Sequence, residues 1–308
     1  MTILPLKEER FESGLTRLPA WFRQDIPEAK KINSMKEMFR GSRLHTVCES
    51  AHCPNMGKCW GQGVATFMIL GEVCTRACRF CAVKAGLPQI IDPEEPLLVA
   101  KAVQELKLRY VVITSVARDD LKDEGAGHFV ETIQAIRQLT PQVKIEVLIP
   151  DFSAKYELLK VLTDAAPEVV SHNIETVRRI SPNIRPQAQH DRSLEVLRMM
   201  RQLNNKIFVK SSFMLGIGET DEEIVELMRE LLDAGCQILT IGQYLSPSQM
   251  KRHVPVQRFV TPQQFEELRV MGMNMGFKFV MSAPLVRSSY IAEEGYAACM
   301  QAMGSVQK

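Results

Sequence analysis

Apolar runs rich in β-branched residues recur along this chain at residues 64–70, 110–114, 144–149, 169–173, 207–213 and 238–244. From the second onward they return about every 25 to 40 residues, the length of one strand, one helix and the turns between them. The intervening segments, 97–106, 128–139, 154–162, 193–203 and 221–234, space apolar residues three and four apart, so each offers a single apolar stripe to a sheet. Thr220 with Glu223 and Thr261 with Gln264 read as capping boxes, and Pro262 takes the first helical position, where a missing N–H is harmless. Alternating strands and helices dictate a parallel sheet, because parallel neighbours need a crossover and a helix supplies it. The expected fold is α/β, a partial (β/α)6 barrel of the TIM type, short of the eight units of a closed barrel. On this reading residues 64–260 form the barrel, and 1–63 and 261–308 are extensions that cover its open mouth or side.

Six of the eight cysteines fall into two triplets, Cys74-x3-Cys78-x2-Cys81 and, just upstream, Cys48-x4-Cys53-x5-Cys59. Each triplet offers three thiolates and no obvious fourth ligand, so each could hold a cubane iron–sulfur cluster with one iron open for chemistry. A disulfide framework is the reading for a small secreted chain, but 308 residues bury enough surface to do without covalent staples. Zinc is the remaining rival. It favours paired Cys-x2-Cys knuckles and four closed ligands, and His52 between two cysteines could complete such a set. Cys74, Cys78 and Cys81 follow the first barrel strand directly, in a loop at its C-terminal end, where enzymes of this architecture carry their reactive groups.

Charge and hydropathy exclude other classes. Lys plus Arg (38) nearly balance Asp plus Glu (36), which gives no broad basic field for nucleic acid. The longest apolar runs, such as 67–70 and 110–113, are far too short to cross a membrane. The opening MTILPLKEERFESG has no apolar signal core and is not an Arg/Ser-rich leader, so a reducing cytoplasm is expected.

Phe80, just before the last cysteine of the second triplet, completes a motif that resembles the signature of the radical S-adenosylmethionine (SAM) superfamily. The upstream string CESAHCPNMGKC and the late string Arg287-Ser288-Ser289-Tyr290 are similar to the auxiliary-cluster and RSSY motifs of the lipoyl synthase family. Further stretches agree with that family: VITSVARDDLKDEGAGHF at 112–129, HNIETVRRI at 172–180, MLGIGET at 214–220 and QYLSPSQMKRHVPVQRFVTPQQF at 243–265. One departure is Ala117, where the family pattern carries an aspartate. The resemblance implies a 4Fe-4S cluster on Cys74, Cys78 and Cys81 that chelates SAM. It implies a second 4Fe-4S cluster on Cys48, Cys53 and Cys59 with Ser289 as fourth ligand, serving as sulfur donor. The implied reaction inserts two sulfur atoms at carbons 6 and 8 of an octanoyl group on a carrier-domain lysine. Octanoylated carriers (2-oxoacid dehydrogenase E2 subunits and the glycine cleavage H protein), a flavodoxin or ferredoxin as electron donor, and cluster-assembly proteins are the implied partners.

For SAM itself, Asn173 and Glu175 resemble the ribose-binding pair of biotin synthases; the competing reading makes them caps of the following helix. Gly216 and Gly218 are expected to let backbone approach the cofactor, and Ser115, ending the second strand, to present backbone carbonyls to the SAM amino group. Cys236 and Cys299 read as packing thiols, and the sixteen methionines as core filler. Lys251, Arg252 and His253 form a small basic cluster, either a solvated face or a contact for an acidic carrier protein.

Overall fold

The computed structural model describes residues 18–24, 29–61 and 64–306; the opening stretch to residue 17 lies outside them. The strands are β1 (His45–Thr46), β2 (Thr66–Ile69), β3 (Val73–Cys74), β4 (Lys84–Ala85), β5 (Tyr110–Ser115), β6 (Lys144–Leu148), β7 (Val169–Ser171), β8 (Phe208–Leu215), β9 (Ile238–Gln243) and β10 (Phe279–Ser282). Eight of them form one sheet in the order β1-β2-β5-β6-β7-β8-β9-β10. Every pair from β2 to β10 is parallel; only β1 is antiparallel to its neighbour. β3 and β4 make a separate parallel ribbon beside the mouth.

Helices occupy the crossovers as the apolar spacing requires: Glu95–Glu105, Ala126–Leu139, Tyr156–Asp164, His190–Leu203 and Asp221–Asp233. Both capping boxes form, with Thr220 accepting from Glu223 N and Thr261 from Gln264 N. One apolar core runs from the sheet (Ile113, Ile145, Val147, Val209) to the inward helix stripes (Val103, Phe129, Leu162, Leu197, Leu231).

The sheet crosses both expected domain boundaries. After the helix Pro262–Met275, Gly276 takes φ +116 and turns the chain into β10, which pairs with β9 as a seventh parallel strand. A boundary at 260/261 therefore cuts through a βα unit. β10 is easy to miss in the sequence because it is four residues long and alternates half-buried with buried positions, as a sheet edge does.

β10 does not pair with β1, so the barrel has an open seam, and the two extensions fill it. Asn55 Nδ2 donates to Leu285 O at 2.6 Å, Lys58 Nζ lies 3.0 Å from Tyr290 OH, and Thr66 Oγ1 lies 2.9 Å from Ser289 Oγ. The helix Ala292–Val306 then seals the floor. Its Cys299 and Tyr296 pack on Val169, Phe208, Ile238 and Phe279, each the first residue of its strand. With the floor closed and the seam filled, the space that remains opens at the C-terminal ends of the strands.

Candidate active site

That space is a cavity of about 460 Å³. Its wall includes Cys74, Cys78, Phe80 and Cys81 from the first loop, and Ser115, Leu148 and Asn173 from strand ends or just beyond them. Cys48, Cys53 and Ser289 come from the two extensions.

The loop carrying Cys74, Cys78 and Cys81 is held from several sides. Arg79 N donates to Ile184 O at 2.7 Å, and Ala77 N donates to Gln187 Oε1 at 2.9 Å. Arg76 reaches Asp119 Oδ1 at 2.6 Å and Asp151 Oδ1 at 2.7 Å, while Arg192 takes the other oxygen of Asp151 at 2.8 Å. Burial would raise the Asp151 carboxyl, but Arg76, His172 and Arg192 around it hold it down at about 2. Cys74 Sγ accepts from Ala117 N at 3.3 Å and Arg76 N at 3.4 Å. Ala117 therefore acts through its backbone, which explains why its departure from the family pattern leaves this loop intact. Burial, reinforced by the neighbouring thiols, pushes Cys78 up to about 12 and Cys81 up to about 11.

The second triplet is built on local turns. Thr46 caps the single-turn helix Val47–Ser50 that carries Cys48; Cys53 N then bonds Cys48 O at 3.0 Å, past His52 at φ +50. Cys59 sits in the helix Met56–Gly61, where burial first, then Cys48 and Cys53, pushes it up to about 11. Cys59 stands behind the wall rather than on it. Thr66, the first residue of β2, joins this triplet to the far end of the chain. Its backbone faces the Cys48 thiol while its hydroxyl meets Ser289.

Among the remaining expected residues, Ser115 and Asn173 line the cavity, and Ser115 Oγ and Asn173 Oδ1 are buried without a partner. Glu175 lies on the same wall at φ +67, with burial raising its carboxyl. The capping alternative has no geometry behind it: the next helix, Ser181–Ile184, receives no side-chain cap. Gly216 and Gly218 are absent from the cavity wall. Gly216, at φ +97, is required instead by close packing, since a Cβ there would stand 2.1 Å from Gln243 Nε2 and 2.4 Å from Arg258 O.

Among further wall residues, His172 and Arg287 lie inside motif stretches that gave them no role of their own, and Arg185 carries no local sequence signal. His172 bonds Ile149 O and Ser193 Oγ, and burial lowers it to about 4. Arg185 is buried on Ser181, Ser193 and the Asn173 carbonyl. Only assembly of the barrel brings such residues to one wall.

The sequence matches the model of the Radical SAM superfamily over residues 68–231 and that of the N-terminal domain of lipoyl synthase of the Radical_SAM family over residues 6–53. It is 51% identical over 291 residues to the lipoyl synthase of Rubrobacter xylanophilus, covering 94% of this chain and 89% of that one. It is also 51% identical over 276 residues to the lipoyl synthase of Phocaeicola vulgatus, covering 90% and 96%. The chain belongs to the lipoyl synthase family. Among solved structures, the FeFe-hydrogenase maturase HydG superposes with a TM-score of 0.56 at 14% identity over 84% of this chain and 56% of that one. Methylornithine synthase does so with 0.52 at 16%, over 66% and 61%. These likenesses concern the fold.

As a lipoyl synthase, the protein is a radical SAM sulfurtransferase that carries two 4Fe-4S clusters and uses SAM. The residues fit those groups. In each triplet neighbouring thiols help push one cysteine up, Cys59 in the first and Cys78 in the second, a repulsion that bound iron would remove. The unpartnered Ser115 Oγ and Asn173 Oδ1 suit a ligand rich in hydrogen-bonding groups.

Proposed function

We propose that SAM binds at Cys74, Cys78 and Cys81, and that an octanoyl chain amide-linked to a carrier-domain lysine enters the same cavity toward Cys48, Cys53, Cys59 and Ser289. The reaction replaces C–H bonds at carbons 6 and 8 with C–S bonds. No side chain has a pKa that could deprotonate those carbons, so a radical is required. When bound, one cluster supplies the electron that cleaves SAM to a 5'-deoxyadenosyl radical and the other supplies the sulfur.

The chain's own residues orient and shield. The N–H groups of Ala117 and Arg76 fix Cys74. Asn173 and Glu175 take the ribose hydroxyls, Ser115 offers its carbonyl to the SAM amino group, and Phe80 packs beside the cluster loop. Met68, Val116 and Phe213 on the wall give the alkyl chain an apolar surface and keep water from the radical. Ser289 would supply the fourth, oxygen ligand to the auxiliary cluster, a hard ligand suited to a cluster that gives up sulfur. The two ends of the chain, with Cys48, Cys53 and Cys59 before β2 and Ser289 after β10, act as the cluster-bearing extensions of the catalytic barrel. The carriers are the E2 subunits of 2-oxoacid dehydrogenases and the glycine cleavage H protein, the reductant a flavodoxin or ferredoxin, and cluster-assembly proteins restore the sulfur source, all in the cytoplasm.

The observation that carries this reading is the double contact of Thr66. It draws Ser289 and Cys48, from opposite ends of the chain, to the cavity that the radical triplet also lines. Iron and sulfide analysis, with mass spectrometry of an octanoylated peptide after incubation with SAM and reductant, tests it. About eight irons and a product gaining two sulfurs are expected. SAM cleavage with about four irons and no sulfur gain would overturn the substrate assignment. Ser289→Cys is expected to keep both clusters yet lose sulfur insertion; full activity in that variant would remove Ser289 from its role.

A further inference from the structure

Two stretches that border the cavity mouth contain no acid. No Asp or Glu occurs between Glu72 and Asp92, nor from residue 234 to 265. The whole chain is nearly balanced, with 38 basic and 36 acidic residues, so this segregation is local. Some cations in these stretches are engaged: Arg76 by Asp119 and Asp151, Arg79 by Asn183 and the Arg252 carbonyl, Arg258 by Glu219 and Asp221. Lys84, Lys251 and Arg252 are exposed, and among the described residues none of the three forms an ion pair. Elsewhere Arg43 pairs with Asp92, Arg179 with Glu223 and Arg269 with Glu266; what sets Lys84, Lys251 and Arg252 apart is that they lie in two stretches without a single acid.

The basic pair is also fixed in place at the mouth. His253, buried next to it, sets Nε2 3.1 Å from Cys81 O and Nδ1 2.7 Å from Ser248 Oγ, and Val254 N donates to Arg79 O at 3.1 Å. Lys251 and Arg252 thus project from a loop tied to the loop of the radical triplet, and Lys84 follows directly on that triplet. Met250, 56% exposed, and Leu87, 94% exposed, offer apolar contact in the same two stretches.

We infer that Lys84, Lys251 and Arg252 form a docking rim for the carrier domain, and that the carrier presents an acidic surface around its modified lysine. The inference rests on the octanoyl-carrier reading above and specifies how that substrate is recognised. A lysine arm with an eight-carbon chain fixes neither the orientation nor the distance of the domain it hangs from. Unpaired charge at the mouth supplies orientation and speeds encounter without occupying the cavity.

The test compares two substrates, a whole octanoylated lipoyl domain and a short octanoyl-lysyl peptide, with the cluster-loaded enzyme. Lys251→Glu is expected to raise KM for the domain several-fold and to leave kcat/KM for the peptide unchanged. Lys84→Glu, on the other stretch, moves the domain value in the same direction. Added salt narrows the gap between wild type and variants on the domain, because exposed charges are screened. Lys101→Glu changes net charge equally from the outer helix Glu95–Glu105 and is expected to change neither substrate. Equal losses on both substrates, no loss on either, or the same effect from Lys101→Glu would overturn the docking rim. A wild-type enzyme that thiolates the peptide but shows no preference for the domain would overturn it too. Failure of the wild type on both substrates would instead overturn the octanoyl reading on which the rim depends.

Discussion

Five of the six cysteines in the two triplets line one cavity, but the triplets are assembled in opposite ways. Cys74, Cys78 and Cys81 lie in one short loop, anchored by Arg76 on Asp151 and by backbone bonds from neighbouring turns. Cys48, Cys53 and Cys59 also sit on local turns, yet their expected fourth ligand, Ser289, arrives from across the barrel seam and meets the Cys48 segment through Thr66. A site confined to one loop needs the barrel as a platform. A site shared by both extensions needs the barrel to be closed, so it reports on tertiary structure as well as on its ligands.

Cys78→Ala offers the largest break in that comparison. It removes a ligand from the self-contained site, so SAM cleavage is expected to fall below detection while about half the iron remains on the other triplet. Loss of all iron, measured on anaerobic protein, would mean that the two sites are not independent.

Thr66→Val tests the shared site with a smaller effect. It deletes the hydroxyl that meets Ser289 and keeps the shape of the side chain. SAM cleavage is expected to persist while product with two sulfurs forms roughly 10- to 100-fold more slowly, the usual cost of losing a partner that orients a metal ligand. Unchanged sulfur insertion would separate Ser289 placement from Thr66.

The smallest effect is the pH dependence of the platform. Asp151, with no exposed side-chain surface, is depressed to about 2 from an ordinary value near 3.8. A carboxyl depressed in the folded state stabilises above its unfolded pKa and loses that contribution as pH falls through the folded value. About 2 kcal/mol is therefore expected to disappear between roughly pH 4 and pH 2. Asp151→Asn should flatten that part of a stability-against-pH curve measured by denaturant unfolding, and an unaltered curve would remove Asp151 as its source.

Much of the fold was legible because its signals are local. Each βα unit announces itself through apolar spacing, and the caps at Thr220 and Thr261 join residues three apart. The cysteine motifs were legible for the same reason. Gly216 was misleading: a glycine at positive φ in a strand-to-helix turn looks like room for a ligand, but here the room is taken by Gln243 and the Arg258 carbonyl. That close approach comes from residues 27 and 42 positions away, which no local pattern encodes.

The sequence by itself determined the α/β alternation, the helix starts, the two thiol triplets and, through its motifs, the family. Only the tertiary structure decided that β10 extends the parallel sheet beyond six units, that the seam is filled by both extensions, and that Ser289 meets the Cys48 triplet at Thr66. The physical reason is range. Turns, caps and loop motifs are satisfied by hydrogen bonds between near neighbours, whereas Thr66 and Ser289, 223 residues apart, meet only after the sheet has curved and left its edges unpaired.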